Sequence, residues 1–359
     1  MSSASRSVAT NPPRPDSPAA APLELAALEE RLSRPDDGVV GALRACPGDI
    51  MILGAGGKMG PSLARMARRA VEVVGDGRRV IAVARWRDAA ARAALDAGGV
   101  VTIAADLEDP NALAALPDAP NVVYMAGQKF GTSDAPSRTW ALNAVLPARC
   151  LARWPLARWV AFSTGNVYAL SPVGGPFAHE TDVCAPVGDY AMSCLGRERA
   201  FEDAAHLRGT ASAIVRLNYA VDLRYGVLVD IGRRVRDGEP VDCSMGWVNV
   251  IWQGDANAMA LRLLAHASTP PCVVNVTGPE RLSVRDVAER FGGRMGILAD
   301  VRGTEAPDAL LSDTTRMHAL LGPPSVTAPV LIEWVAHWLE RRMPLLAKPT
   351  RFEVRDGQF

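Results

Sequence analysis

Apolar positions along the chain follow two rhythms. Between Leu23 and Arg34 the leucines at 25, 28 and 32 share one helical face and Pro35 ends the pattern, which predicts a short helix packed on the main body. From Asp49 onward, short apolar runs alternate with longer stretches of helical spacing. Residues 49–53 read as a strand, 54–60 as a glycine turn, 61–74 as a helix and 79–84 as a second strand. Further runs follow at 100–104, 122–125, 159–163 and 213–217. Strands that are apolar throughout are those buried on both faces of a parallel sheet. The expected fold class is α/β, a doubly wound Rossmann-type parallel sheet with a smaller C-terminal lobe.

Composition narrows the functional classes. The 359 residues carry 39 Lys+Arg against 39 Asp+Glu, a formal net charge of zero, which argues against nucleic acid or an anionic membrane as the main partner. No apolar run approaches the roughly 18 residues that span a bilayer. The six cysteines form no C-x-x-C pair and the five histidines no close pair of ligand spacing, so no metal site is expected and a reducing cytoplasm is. Residues 1–22 hold five prolines and are expected to be a disordered tail without secretory or transit character. Only Lys58, Lys129 and Lys348 are lysines; the other 36 basic residues are arginines.

The turn Gly54-Ala55-Gly56-Gly57-Lys58-Met59-Gly60 follows a strand and opens a helix. Glycines there allow a tight turn and let backbone amides approach a pyrophosphate, while the helix N-terminus favours its charge. The alternative is a plain strand-helix connection. An acidic residue at the end of the second strand would hold an adenosine ribose hydroxyl, but this strand ends in Arg85-Trp86-Arg87. A guanidinium pairs with a 2′-phosphate that a carboxylate repels, which favours NADP, with NAD the alternative. Arg85 could equally be a solvated residue.

With these motifs in view, residues 49–340 resemble the extended short-chain dehydrogenase/reductase superfamily, in particular its NAD(P)-dependent epimerase/dehydratase group. The resemblance rests on the glycine turn, Asp106-Leu107 after the third strand, Tyr124-Met125-Ala126-Gly127 on the fourth, Ser163-Thr164-Gly165-Asn166-Val167-Tyr168 on the fifth and Arg216-Leu217-Asn218-Tyr219 on the sixth. Asn275-Val276-Thr277-Gly278 with Leu282-Ser283-Val284 looks like the late strand and helix of the substrate lobe. The resemblance implies a nicotinamide-binding core at 49–217 and 246–278, a substrate-binding lobe at 218–245 and 279–345, and a helical extension at 23–48. Cofactor contacts are implied for Gly54, Gly56, Gly57, Lys58, Met59, Gly60, Arg85, Asp106, Leu107, Met125, Ala126, Gly127, Lys129, Asn143 and Tyr190.

That family's active site combines a Ser or Thr on the fifth strand with Tyr-x-x-x-Lys on the next helix. Here Thr164 and Tyr190 take the first two places and Cys194 stands where the lysine would be. In the family mechanism the lysine charge lowers the tyrosine pKa from its usual value near 10. Lys129, which resembles a cofactor-contacting lysine of the sugar-nucleotide 4-epimerases, is expected to replace it in part. Arg197 is a second candidate, since Tyr190, Cys194 and Arg197 at i, i+4 and i+7 share a face. Each of the two could instead be a phosphate contact or a solvated charge. Cys194 is an acid/base group or simply a small buried hydrophobe.

Gly165 and Asn166 after Thr164 lack the acid and base of the 4,6-dehydratases, so elimination of that kind is not expected. Thr164, Asn166, Asn218, Tyr219, Arg224 and Asn249 are candidate substrate contacts, with Gln253 beside Asn249; Arg224 could equally be a surface ion pair. His179 is a proton relay or a solvent-facing loop residue. The implied function is an NAD(P)-dependent epimerase or oxidoreductase acting on a secondary alcohol of a sugar, sugar acid or nucleotide sugar. A cofactor-binding sensor or scaffold that has lost turnover is the alternative. A homodimer packed through helices around 139–153 and 189–205 is implied by the resemblance.

Overall fold

The computed structural model describes residues 21–129, 131, 134–346 and 348–358. The tail expected at 1–22 therefore lies outside the described residues except for Ala21 and Pro22.

Helix α1 (Leu25–Leu32) buries Leu28 and Leu32 completely. A second helix, α2 (Asp37–Ala45), follows Pro35; the Asp36 carboxylate accepts from Val39 N at 2.7 Å and caps it. Then come β1 (Ile50–Leu53), α3 (Gly60–Val74), β2 (Val80–Ala84), α4 (Ala89–Ala97), β3 (Val101–Ala104), α5 (Pro110–Ala115) and β4 (Asn121–Tyr124). Helix α6 (Pro136–Trp140) runs through a π-helical turn at Ala141–Val145 into α7 (Leu146–Arg153), followed by β5 (Arg158–Thr164), α8 (Gly188–Arg208) and β6 (Ser212–Leu217). The rest comprises α9 (Val227–Asp237), α10 (Gln253–Arg262), β7 (Cys272–Val276), α11 (Val284–Met295), α12 (Thr315–Leu321) and α13 (Ala328–Glu340), with several two-residue strand pairs.

The seven long strands form one parallel sheet in the order β7-β6-β5-β4-β1-β2-β3. Its covering explains the apolar runs. Ile50 and Ile52 of β1 join the core under α2, α3 and α10, while Met51 and Leu53 join the opposite core under α7 and α8. Both faces need apolar residues, so successive positions are all buried. On the second face Phe201 of α8 packs edge-on against Tyr124 and Trp159, with centroids 6.5 and 5.7 Å apart. The strand that includes Asn275 and Val276, within the 246–278 stretch assigned to the core, forms the edge of this sheet: β7 pairs in parallel with β6 from Cys272↔Ala213 to Val276↔Leu217. A third core lies among α9, α11 and α13; it takes in Leu28 and Leu32 of α1 and Phe352 near the C-terminus. Among the described residues no helix is long and apolar enough to cross a membrane.

The strand order reverses between β1 and β4, which run parallel, and the carboxyl ends of both strands point into one crevice, where such sheets bind ligands. Helix α8 borders that crevice. It is fixed by a buried ion pair in which Arg216 of β6 donates from Nη2 to Glu198 Oε2 at 2.7 Å and from Nε to Oε1 at 3.1 Å. The same carboxylate accepts from Ser163 on β5, and Arg216 Nη1 donates to Tyr168 Oη at 2.6 Å. Their side chains are only 5% and 1% exposed, so removing one charge strands the other in the interior. Arg216→Met is expected to cost about 3–5 kcal/mol of unfolding free energy in a urea titration. A loss under about 1 kcal/mol would show that the pair does not hold α8 in place.

Candidate functional site

The first strand-to-helix turn is shaped by two close approaches. Gly54 has φ +88°, and a Cβ there would sit 2.5 Å from Ala126 N; one on Gly60 would sit 2.2 Å from Ala55 O. Neither position accepts a side chain, so β1, β4 and the start of α3 meet at backbone distance. Gly57 is exposed, and a Cβ there would make only an ordinary contact, 3.7 Å from Gly54 O. That bare turn at a helix N-terminus is the cradle a pyrophosphate requires.

A cavity of about 290 Å³ opens from the turn. Gly54, Gly56 and Gly57 line one side, Arg85 and Asp106 the far end, and Leu107, Met125, Ala126 and Gly127 the remaining wall. Arg85 and Asp106 are both exposed and stand 3.9 Å apart. Trp86 also lines this cavity; its backbone is held at φ +46° and its indole N–H donates to Ile103 O at 2.9 Å. A non-glycine residue in that region carries strain of order 1–3 kcal/mol, maintained here by the walls it joins.

A second cavity of about 260 Å³ adjoins the first through Gly54, Gly57, Met125 and Gly127. Around it stand Lys58, Met59, Gly60, Lys129, Tyr190 and Cys194, together with Ser163, Gln128 and Arg197. Tyr190 lies in the first turn of α8, and its hydroxyl is hydrogen-bonded with Thr164 and with Cys194. Burial pushes the phenol far above the usual tyrosine range and the neighbouring thiol adds to the shift, against the smaller pull of the Thr164 hydroxyl and the Arg197 cation. Cys194 is likewise raised, chiefly by burial. Both groups therefore hold their protons at neutral pH.

Two cations approach this pair. Arg197 sits on neutral acceptors, donating to Phe162 O and Asn143 O at 2.5 and 3.2 Å and to Asn143 Oδ1 at 3.2 Å, and its charge acts on both Tyr190 and Cys194. Lys129 Nζ lies 6.0 Å from the Tyr190 ring centroid and donates to Thr350 O at 3.4 Å; burial pushes its pKa down to about 8. Lys58 is exposed as a residue, yet its ammonium lies 2.8 Å from the Tyr225 ring centroid. Desolvation there, with Lys129 and Lys348 as like charges, pushes it down to about 7.

The remaining expected ligand residues are placed elsewhere or only partly here. Asn166 and Tyr219 reach a third, small cavity beyond Lys129. Asn143 is fully buried, donating to Gln128 O and Ser193 Oγ and accepting from Gln128 N, so it shapes the loop after β4 and lines neither larger cavity. Asn218 donates to Asn249 Oδ1 at 2.8 Å, and Asn249 donates to Ser312 O at 2.8 Å, a closed internal network. Arg224 is paired with Asp222 at 2.6 Å and with Glu29 at 2.5 Å, and lines none of these three cavities. Gln253 donates to Ser62 inside the core, and Trp252 packs edge-on to Trp334. His179 stays in its loop with Thr181 and Asp182. Residues that sequence reasoning did not reach are Trp86 and the C-terminal segment with Val354, Arg355 and Gly357. Only the apolar Phe352 and Val354 amid charges hinted that this segment docks.

No protein-family model matches the sequence, and no curated protein matches it. Solved structures match the fold. MoeE5 in complex with UDP-glucuronic acid and NAD gives a TM-score of 0.64 at 21% identity, covering 82% of this chain and 100% of the other. UDP-glucose 4-epimerase from Thermotoga maritima, with UDP-glucose, gives 0.67 at 16% identity, covering 82% and 99%. DesIV, a dTDP-glucose 4,6-dehydratase from Streptomyces venezuelae with NAD bound, gives 0.69 at 19% identity, covering 82% and 98%. The chain thus has the fold of the extended short-chain dehydrogenase/reductases.

The ionisation of Tyr190 is directly measurable as the difference in tyrosinate absorbance between this chain and its Tyr190→Phe variant. It is expected to begin only above about pH 10, the unperturbed value for tyrosine. In Cys194→Lys, an ammonium one helical turn away is expected to lower the midpoint by at least about one unit. A midpoint near neutrality in the unaltered chain would contradict this account of the site.

Proposed function

We propose that this chain is an NAD(P)-dependent oxidoreductase or epimerase that exchanges a hydride at a secondary alcohol of a sugar-like substrate. The observation that carries the reading is Tyr190, hydrogen-bonded with Thr164 and lining a cavity continuous with the glycine turn. The bare Gly57 cradle and the two adjoining cavities fit a dinucleotide, whose adenosine half would lie among Arg85, Asp106 and Leu107 and whose nicotinamide half would lie near Tyr190. When bound, the nicotinamide supplies a reversible hydride acceptor.

Thr164 orients the substrate oxygen and Tyr190 exchanges its proton. With the phenol protonated at neutral pH, Tyr190 is ready to donate to a carbonyl, whereas accepting an alcohol proton needs the help of Lys129, Arg197 or higher pH. A carbonyl that rotates before hydride and proton are returned would give the epimer, whereas one that leaves while the nicotinamide keeps the hydride would give net oxidation. Arg85 and Arg87 border the adenosine end, and no carboxylate ends β2, which supports NADP over NAD.

Anaerobic mixing with NADP+ and a panel of sugars, sugar acids and nucleotide sugars tests the reading through nicotinamide absorbance and product stereochemistry. Turnover that falls at least about a thousandfold in Tyr190→Phe is expected. An Arg85→Ala variant is expected to lose about tenfold of its affinity for NADP+ and little for NAD+. Failure of the full chain to bind either dinucleotide would refute the proposal.

The six free cysteines suit a reducing cytoplasm. We further infer a homodimer formed by α6, α7 and α8, where Trp140, Val145 and Met192 are exposed apolar side chains. Sedimentation of a Val145→Glu, Met192→Glu double variant is expected to show a monomer where the unaltered chain shows a dimer; a monomeric unaltered chain would exclude the inference.

A further inference from the structure

Residues 348–358, beyond the region that carries the family resemblance, line the small cavity that meets the chamber of Tyr190 at Lys129. Thr350 donates from N and Oγ1 to Asp230 Oδ2 at 2.7 and 2.6 Å, and its carbonyl accepts from Lys129. Phe352, 1% exposed, is part of the core among α9, α11 and α13, and its carbonyl accepts from Tyr219 Oη at 3.5 Å. Arg355 donates to Asp308 O at 2.9 Å and pairs with its carboxylate. Gly357 lies flat on the start of α8: a Cβ on Gly188 would come within 2.5 Å of Gly357 O, and one on Gly357 within 2.2 Å of Val187 O. The segment therefore touches both the helix that carries Tyr190 and the lysine beside it.

What it leaves is small. Beyond Lys129 and Asn166 lies a separate cavity of about 50 Å³, lined in part by Val354, Arg355 and Gly357, against about 260 Å³ in the chamber of Tyr190 that a nicotinamide would share. A ligand as large as a nucleoside diphosphate sugar needs a cleft of about 300 Å³ or more to itself. We propose that residues 348–358 are the specificity element of this site, and that they restrict its substrate to a monosaccharide-sized polyhydroxy compound without a nucleotide. This rests on the assignment of Tyr190 as the reacting centre. The multiple anchors, with Phe352 in a core, make the segment a fixed wall and not a lid that parts for a large ligand.

The test uses the full chain. Dinucleotide affinity is measured first, since its absence would sink the oxidoreductase reading separately. Calorimetric titration with UDP and with UDP-glucose then reads whether the cleft admits a nucleotide, while hydrogen exchange follows residues 348–358. No binding at about 1 mM of either compound, with slow exchange in the segment throughout, is the expected result. UDP-glucose binding below about 1 mM, accompanied by faster exchange in residues 348–358, would overturn the proposal and make the segment a displaceable lid. Exchange as fast as in an unstructured peptide without any ligand would overturn it too.

Discussion

The site depends on how α8 carries charge into the interior. A single helix turn there places Arg197 against the carbonyls of Phe162 and Asn143, and Glu198 against Ser163 and Arg216. Buried charges left without such partners cost several kcal/mol, so the geometry between α8, β5 and β6 has little freedom. Tyr190 lies two turns before Arg197 on the same helix, and Thr164 ends the strand that Phe162 and Ser163 belong to. Tyr190 and Thr164 are therefore aligned by polar groups that lie behind them in the interior. The π-helical turn at Ala141–Val145 serves the same end, because it aims Asn143 at both the loop after β4 and Arg197.

Cys194 changes the proton chemistry of that alignment without changing its shape. A thiol fills the helix face between Tyr190 and Arg197 and accepts the phenol, but it offers no charge to favour the phenolate. Desolvation is then the largest influence on Tyr190, and it favours the neutral acid. The positive charge in the chamber comes instead from Lys129, approaching over the ring from the loop after β4, and from Arg197 below it. Arg197 is fixed on three carbonyl acceptors, whereas Lys129 at about 8 lies close enough to neutrality for its charge to respond to what binds beside it.

The fold was legible because its constraints are local and repeated. A strand such as Ile50–Leu53, apolar at every position, can only sit with both faces covered, and a glycine run between it and a helical pattern marks the crevice. The contribution of Gly60 to helix-strand contact, and the shared face of Tyr190, Cys194 and Arg197, follow from spacing alone. Side chains whose roles are settled by distant partners were not legible. Asn218 and Asn249 are 31 positions apart and satisfy each other, while Arg224 finds Glu29, 195 positions away. No periodicity reports such pairings. The segment at 348–358 was hidden for the same reason: its anchors, Asp230, Asp308 and Gly188, are spread over three unrelated elements or loops, and only Phe352 and Val354 are apolar enough to signal burial.

Convergence of all three lysines is the least local feature of the chain. Lys58 comes from the glycine turn, Lys129 from the loop after β4 and Lys348 from the C-terminal segment, yet Lys58 is depressed by the other two as well as by its own desolvation over Tyr225. A lysine lowered to about 7 in the folded chain and ordinary in the unfolded one binds fewer protons folded than unfolded between those values. The folded state is accordingly favoured as pH rises from about 7 toward 10.5, and the charged form is the strained one. An anion at the turn reverses that balance, because an opposite charge favours the ammonium. Proton uptake at Lys58 would then be linked to the binding of an anion beside it, with Lys348 of the C-terminal segment entering as a like charge.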